Sequence, residues 1–136
     1  PDAPIEEIAP FAKAAKKYGL QQIFLVAQTT NNQRLKKILQ QARWFLYLVS
    51  VLGVTGARQK FGKETQKFIQ RIRKQTKLPL CVGFGVSTPD QFQAMIQAGA
   101  DGVIVGSAIV DVIAKNLGKH DLLGKVANFA KQFRKS

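Results

Sequence analysis

Cysteine, histidine, tryptophan and methionine each occur once in this 136-residue chain. A single cysteine excludes an internal disulfide and fits a reducing compartment. Cys81 has no nearby histidine and no metal-ligand spacing, so it reads as a buried apolar residue rather than a reactive thiol. The one histidine, His120, stands between Lys119 and Asp121 in a polar turn and reads as solvated. No zinc motif, P-loop or Ser-His-Asp constellation is present. Acidic residues are scarce, 8 against 21 Lys and Arg, which leaves a formal net charge of +13. No apolar run reaches the roughly 18 residues that a membrane span needs, and no signal-peptide pattern opens the sequence. What is present is 46% hydrophobic residues, enough to bury a core and too many for a disordered tail. The sequence starts at Pro1 rather than Met, in what reads as the middle of a fold, so a fragment or processed product of a longer chain is expected.

The basic residues are dispersed: three in residues 9–19, four in 33–43, eight in 57–77 and six in 115–135. Most sit beside apolar residues at helical spacing, which makes them the solvated outer faces of helices. A sequence pI of about 10.3 still predicts salt-sensitive, non-specific attraction to polyanions.

Residues 81–112 organise the rest. Two short apolar strands, Leu80-Cys81-Val82-Gly83-Phe84-Gly85-Val86 and Gly102-Val103-Ile104-Val105, each run into glycine. Between them Thr88 can cap a helix, Pro89 suits its first position, Gln91 can complete a capping box, and Gly99 ends it. Gly106-Ser107-Ala108 then opens a further helix. Glycine at a strand end lets backbone N–H groups approach an anion, and a helix N-terminus favours negative charge there. Plain strand-end turns at Gly85 and Gly106, and a simple helix cap at Ser107, are the alternatives.

Taken in order, Glu6 and Glu7 suit the start of a helix whose apolar face is Ile8, Phe11, Ala12 and Ala15, stopped by Gly19. Gln22-Ile23-Phe24-Leu25-Val26-Ala27 reads as a strand buried on both faces. A loop with capping residues follows, then a short amphipathic helix on Leu35, Ile38 and Leu39. The segment from Trp44 to Ser50 is the next strand, with Trp44 expected to anchor a helix. It exits through a loop with Gly53 and Gly56. The following helix buries Phe68, Ile69 and Ile72. Leu122, Leu123, Val126, Phe129, Ala130 and Phe133 mark a last amphipathic helix. The alternation αβαβαβαβαα means a parallel sheet with right-handed crossovers. Four strands are about half of a (β/α)8 barrel, which takes about 250 residues. Residues 1–136 are therefore expected to be one domain, half of a TIM barrel with two open sheet edges. An open doubly wound sheet is the alternative.

Several segments together resemble the tryptophan synthase alpha chain family. They are Asp2-Ala3-Pro4-Ile5-Glu6-Glu7, Ile23-Phe24-Leu25-Val26-Ala27, the run Tyr47-Leu48-Val49-Ser50 continuing to Gly53-Val54-Thr55-Gly56-Ala57-Arg58, Gly83-Phe84-Gly85-Val86-Ser87-Thr88-Pro89, and Gly99-Ala100-Asp101-Gly102 through Gly106-Ser107-Ala108. The resemblance runs from first residue to last helix. It implies an α/β chain, strands five to eight of a (β/α)8 barrel. It implies a lyase that cleaves indole-3-glycerol phosphate to indole and glyceraldehyde 3-phosphate by retro-aldol reaction in tryptophan biosynthesis. It also implies a beta-subunit partner that holds pyridoxal phosphate, no cofactor of the chain's own, and a cytoplasmic location with the plastid stroma as the alternative. On the resemblance, Gly56, Gly85, Gly106 and Ser107 fall on phosphate-binding positions with Phe84 beside them. Tyr47 faces the substrate, and Leu25 and Ile104 line the indole pocket; ordinary barrel core is the alternative for these three. Gly53 and Thr55 belong to a mobile loop, and Gly53 with the Asp2-Ala3-Pro4 segment lies near the beta-subunit contact.

Two departures from the family pattern stand out. Gln28 and Asn31 replace common prolines, which is expected to loosen the loop after the first strand. The net charge is also unusual, and fits a lysine-rich genome, an organelle-encoded copy or an engineered chain. Retro-aldol cleavage needs a base and an acid. The family carries these carboxylates in the first half of its barrel, so no catalytic residue is expected here and the isolated chain is expected to be inactive. The alternatives are a non-catalytic phosphate-binding half barrel that self-associates, or a basic polyanion-binding protein.

Overall fold

The computed structural model describes residues 3–50, 58–83 and 85–134, with backbone alone for 58–62. A 3-10 turn, Ile5–Glu7, precedes α1 (Ala9–Lys17). There follow β1 (Phe24–Ala27), α2 (Asn32–Gln41), β2 (Leu46–Val49), α3 (Arg58–Arg73), β3 (Leu80–Gly83), α4 (Pro89–Gln97), β4 (Gly102–Ile104), α5 (Ser107–Asn116) and α6 (Leu122–Lys131). The four strands form one parallel sheet in the order β1-β2-β3-β4.

Side chains alternate across a strand, and here the two faces differ. Val26, Leu46, Leu48, Leu80 and Val82 are fully buried against Leu35 and Ile38 of α2, Phe68, Ile69 and Ile72 of α3, and Met95 of α4. The other row, Leu25, Tyr47, Cys81 and Gly102, is aligned across the sheet by the register and only partly buried, with Leu25 37% exposed. The expected burial of the first strand on both faces is therefore corrected to burial on one. The second face of a parallel sheet is hidden either by further helices, as in a doubly wound fold, or by other strands closing a barrel, and among the described residues neither covers it. Helices cover one face, which favours a half barrel over the doubly wound alternative.

Other boundaries move for local reasons. The first helix does not run from Glu6, because Pro10 lacks an N–H and its ring collides with the carbonyl four residues back. The chain makes a 3-10 turn instead and restarts with proline in the first turn of α1. The predicted apolar face of α1 exists, but Phe11 is 57% exposed. Trp44 precedes β2 and is 58% exposed, so it does not anchor a helix, and Leu123, read as part of the apolar face of the last helix, is 83% exposed. Phe133 lies past the end of α6 and meets Phe92 of α4 edge to face, with centroids 6.2 Å apart.

The capping box at α4 forms as read. Thr88 accepts from the Gln91 N–H, and Gln91 Oε1 accepts from the Thr88 N–H at 3.2 Å. Gly99 follows the helix at φ +109, where a side chain would be strained. At the other end of the sheet, Arg73 is a clamp. It donates to Asp101 Oδ2 at 2.9 Å, to the Thr76 carbonyl at 3.0 Å and to the Leu78 carbonyl. The same Asp101 oxygen accepts from the Leu80 N–H at 2.8 Å. One ion pair thus ties the end of α3 to the starts of β3 and β4.

Candidate functional site

The register places the predicted pocket residues on one face. Leu25 pairs with Tyr47, and Ile104 pairs with Gly83, two residues along from Cys81 in the same row. Leu25, Tyr47 and Ile104 thus share the sheet face turned away from the helices. The polar groups gather beyond the strand C-termini. Gly85 follows β3 at φ +73, a conformation only glycine adopts without strain. Gly106 is the N-cap of α5 and Ser107 its first residue. Because Gly83 pairs with Ile104 in adjacent parallel strands, the Gly85 turn and the α5 N-terminus leave the same end of the sheet side by side. The first N–H groups of a helix have no partner within it, and the α5 dipole adds positive potential there. Ser107 is exposed and is not the N-cap, so the simple cap reading of its hydroxyl is set aside. A side chain built at Gly106 would meet nothing within 4 Å. That glycine leaves open space above the helix end. Gly53, Thr55, Gly56 and Phe84 lie outside the described residues.

Three residues escaped sequence reasoning. Gly83 was visible only as part of a glycine pair. A Cβ at this position would come within 2.0 Å of Tyr47 Oη and 2.3 Å of Tyr47 Cζ, so the tyrosine ring occupies the place where a side chain would stand. Ser50, just past β2, is fully buried; its N–H and its Oγ each donate to the Gly83 carbonyl at 3.1 Å. Arg71 of α3 donates to the Thr30 carbonyl at 3.1 Å and lies over the Phe68 ring. The loop after β1 is also held by Thr30 Oγ1, which accepts from the Ala27 N–H at 3.0 Å, and by Asn31, which caps α2 by accepting from the Arg34 N–H at 2.8 Å. The loosening expected from the missing prolines is thus offset by hydrogen bonds. No spacing rule would have signalled Arg71, since its partner is 41 residues away.

The described carboxylates lie elsewhere. Glu6 sits in the 3-10 turn, facing Arg34 at 3.4 Å and Lys37 at 3.5 Å. A backbone hydrogen bond, with these two cations, holds its pKa below the ordinary carboxylate value. Glu64, Asp90 and Asp111 belong to helices, Asp121 precedes α6, and Asp101 precedes β4 at the far end of the sheet. Glu7 shares the 3-10 turn of Glu6, none of these described carboxylates is at a strand C-terminus, and Asp2, which the sequence puts at a strand exit, lies outside the described residues. Cys81 shares the inner face with Tyr47, and burial pushes its thiol pKa up, with the Asp101 charge adding to the shift. Among the described residues no group of three or more His, Cys, Asp or Glu could hold a metal ion, and no helix is long and apolar enough to cross a membrane. Along the free edge of β1 runs a hollow of about 780 Å³ that reaches from Phe11 past Phe24 and Leu25 to Val49. A smaller one of about 420 Å³ lies against β4, between Phe92, Val103, Ile109 and Phe133.

The family profile described as "Tryptophan synthase alpha chain" matches residues 1–136. A tryptophan synthase alpha chain of Methanoregula boonei is 54% identical over 122 residues, 90% of this chain and 46% of that protein. One of Methanothermobacter thermautotrophicus is 51% identical over 122 residues, 90% of this chain and 45% of that protein. Among solved structures, the alpha chain from Legionella pneumophila superposes with a TM-score of 0.81 at 33% identity, covering 97% of this chain and 48% of that one. A chain from the tryptophan synthase a2b2 complex of Pyrococcus furiosus gives 0.81 at 32% identity, covering 96% and 52%. The chain spans about half the length of the curated relatives it matches.

Proposed function

Since the chain belongs to the tryptophan synthase alpha chain family, we propose that it supplies the phosphate-binding half of a lyase that cleaves indole-3-glycerol phosphate by retro-aldol reaction. The observation that carries this reading is the register of β3 on β4. It sets the Gly85 turn beside the N-terminus of α5, above a face that bears Leu25, Tyr47 and Ile104. The phosphate of the substrate is bound by N–H groups of the Gly85 turn and of Gly106 and Ser107, with the helix dipole favouring its charge. The indole ring lies on the inner face against Leu25 and Ile104, and the Tyr47 hydroxyl reaches its polar side. Gly53, Thr55, Gly56 and Phe84 complete the site as the family resemblance assigns them.

The retro-aldol step needs a base at the glycerol hydroxyl and an acid at indole C3. The carboxylates described above are on helices, in turns or at the far end of the sheet, so this half binds and orients while the other half of the barrel does the proton transfer. Residues 1–136 act as one unit in this scheme and need no cofactor of their own. The beta subunit of an alpha2-beta2 complex takes the indole and uses pyridoxal phosphate.

The test is complementation. The chain is mixed with the N-terminal half of the Methanoregula boonei relative, and indole release from indole-3-glycerol phosphate is measured. Release that depends on both halves and is abolished by Gly85→Leu is the expected result. A folded complex that releases no indole overturns the proposal.

A further inference from the structure

Ser50 gives its only side-chain donor to a backbone carbonyl that is already bonded. The ladder between β2 and β3 continues one residue past Val49, where the Ser50 N–H donates to the Gly83 carbonyl at 3.1 Å. The Ser50 hydroxyl donates to the same oxygen, also at 3.1 Å. A carbonyl oxygen has two lone pairs, so both are occupied from one residue. Ser50 is fully buried and Gly83 is buried, which keeps water from competing for either group. Tyr47, three residues before Ser50 on the same segment, covers the other side of Gly83. Gly83 is the last residue of β3, and two residues later the chain turns at Gly85 with φ +73. The last point of the ladder before that turn is thus gripped twice by β2.

We propose that Ser50 is a positioning residue for the phosphate site: by fixing the Gly83 carbonyl it sets where the Gly85 turn stands beside the N-terminus of α5. The proposal rests on the phosphate reading given above. In this role Ser50 acts on the site through the Gly83 carbonyl of β3. An alanine keeps the N–H bond and loses the hydroxyl, so the ladder survives while the exit of β3 can swing.

The experiment uses inorganic phosphate as the probe, with binding measured calorimetrically on the unsubstituted chain, on Ser50→Ala and on Ile38→Val. Ile38 is a buried core residue of α2 and serves as a stability control. Ser50→Ala is expected to weaken phosphate binding about three- to tenfold, with Ile38→Val unchanged. Equal affinity of the unsubstituted chain and Ser50→Ala overturns the positioning role, and so does an equal loss in both variants. Phosphate that does not bind the unsubstituted chain overturns the phosphate reading and this proposal with it. A measurement that needs no variant runs beside these. Saturating phosphate is expected to shift the amide resonances of Ser50 and Gly83 together with that of Gly85. A shift confined to Gly85 and Ser107 overturns the coupling.

Discussion

The ring of Tyr47 lies in the space that a side chain at Gly83 would fill. The hydroxyl, Cζ and Cε1 of the tyrosine would stand 2.0, 2.3 and 2.7 Å from a Cβ there. The two residues belong to adjacent strands, with Tyr47 paired to Cys81 and Gly83 one step further along the same face. A tyrosine can cross to that position only because the neighbouring strand has no side chain in it.

This predicts a coupled pair. Gly83→Ala is expected to destabilise the chain by about 1–3 kcal/mol through overpacking, read as a lower urea midpoint. Tyr47→Phe will not relieve the cost, because Cζ and Cε1 collide as well as the hydroxyl. Tyr47→Ala removes the ring and is expected to cancel most of it in the double variant. Additive costs in the double-mutant cycle would show that the contact is unimportant.

How much of this was legible in the sequence depends on the range of the interaction. The capping box of Thr88 and Gln91, the buried stripe of Phe68, Ile69 and Ile72, and the four strands were readable because their signals are local or periodic. The restart at α1 is also legible, from Pro10, whose ring cannot share a helix with the carbonyl four residues back. The exposure of Phe11 and Leu25 was not, since a period of 3.6 or 2 marks an apolar face without saying what covers it. Of the candidate site, the turn at Gly85 and the helix start at Gly106 and Ser107 were legible from their position after strands. The grip of Ser50 and Tyr47 on Gly83 spans more than thirty residues, the Ser50 bond 33 of them, and has no sequence signature.

The Arg73 clamp predicts an asymmetry between two substitutions. Its guanidinium serves one carboxylate and two carbonyls at once, a set that matches a fork of donors and not a single ammonium. Arg73→Lys is therefore expected to lose most of what Arg73→Ala loses. The side chain of Arg73 is 30% exposed and that of Asp101 49%, so the ion pair itself contributes little. The carbonyl bonds set the scale at about 1–3 kcal/mol. Thermal melts of the two variants check this, and a Lys variant as stable as the parent refutes it.

Thr65 offers a gain. Its side chain is 2% exposed on α3, and its Oγ1 has no hydrogen-bond partner among the described residues. It sits four residues before Ile69, which is fully buried on the same helix face. A buried hydroxyl without a partner costs about 1–3 kcal/mol. Thr65→Val keeps the shape and removes that cost, so a rise in stability of about 1 kcal/mol, or roughly 3 °C in Tm, is expected. A fall in Tm would mean that the hydroxyl is bonded.

Cys81 carries a pH signature. Burial raises its thiol pKa above the ordinary value of 9.0, and the Asp101 carboxylate pushes the same way. The folded chain therefore keeps a proton that the unfolded chain gives up as the pH climbs past 9.0. This contribution to stability is fully present below the unfolded pKa and is lost as the pH rises through the folded one. The comparison is made against Cys81→Ala, which removes only the thiol. The difference in urea midpoint between parent and variant is expected to be constant from pH 6 to about 8 and to shrink in the parent's disfavour above about pH 9. At neutral pH the same shift keeps the thiolate scarce, so iodoacetamide should label the folded chain more slowly than the urea-unfolded one, beyond what half-burial alone imposes. Equal labelling rates, with a midpoint difference that ignores pH, would show that the inner face leaves Cys81 an ordinary solvated thiol.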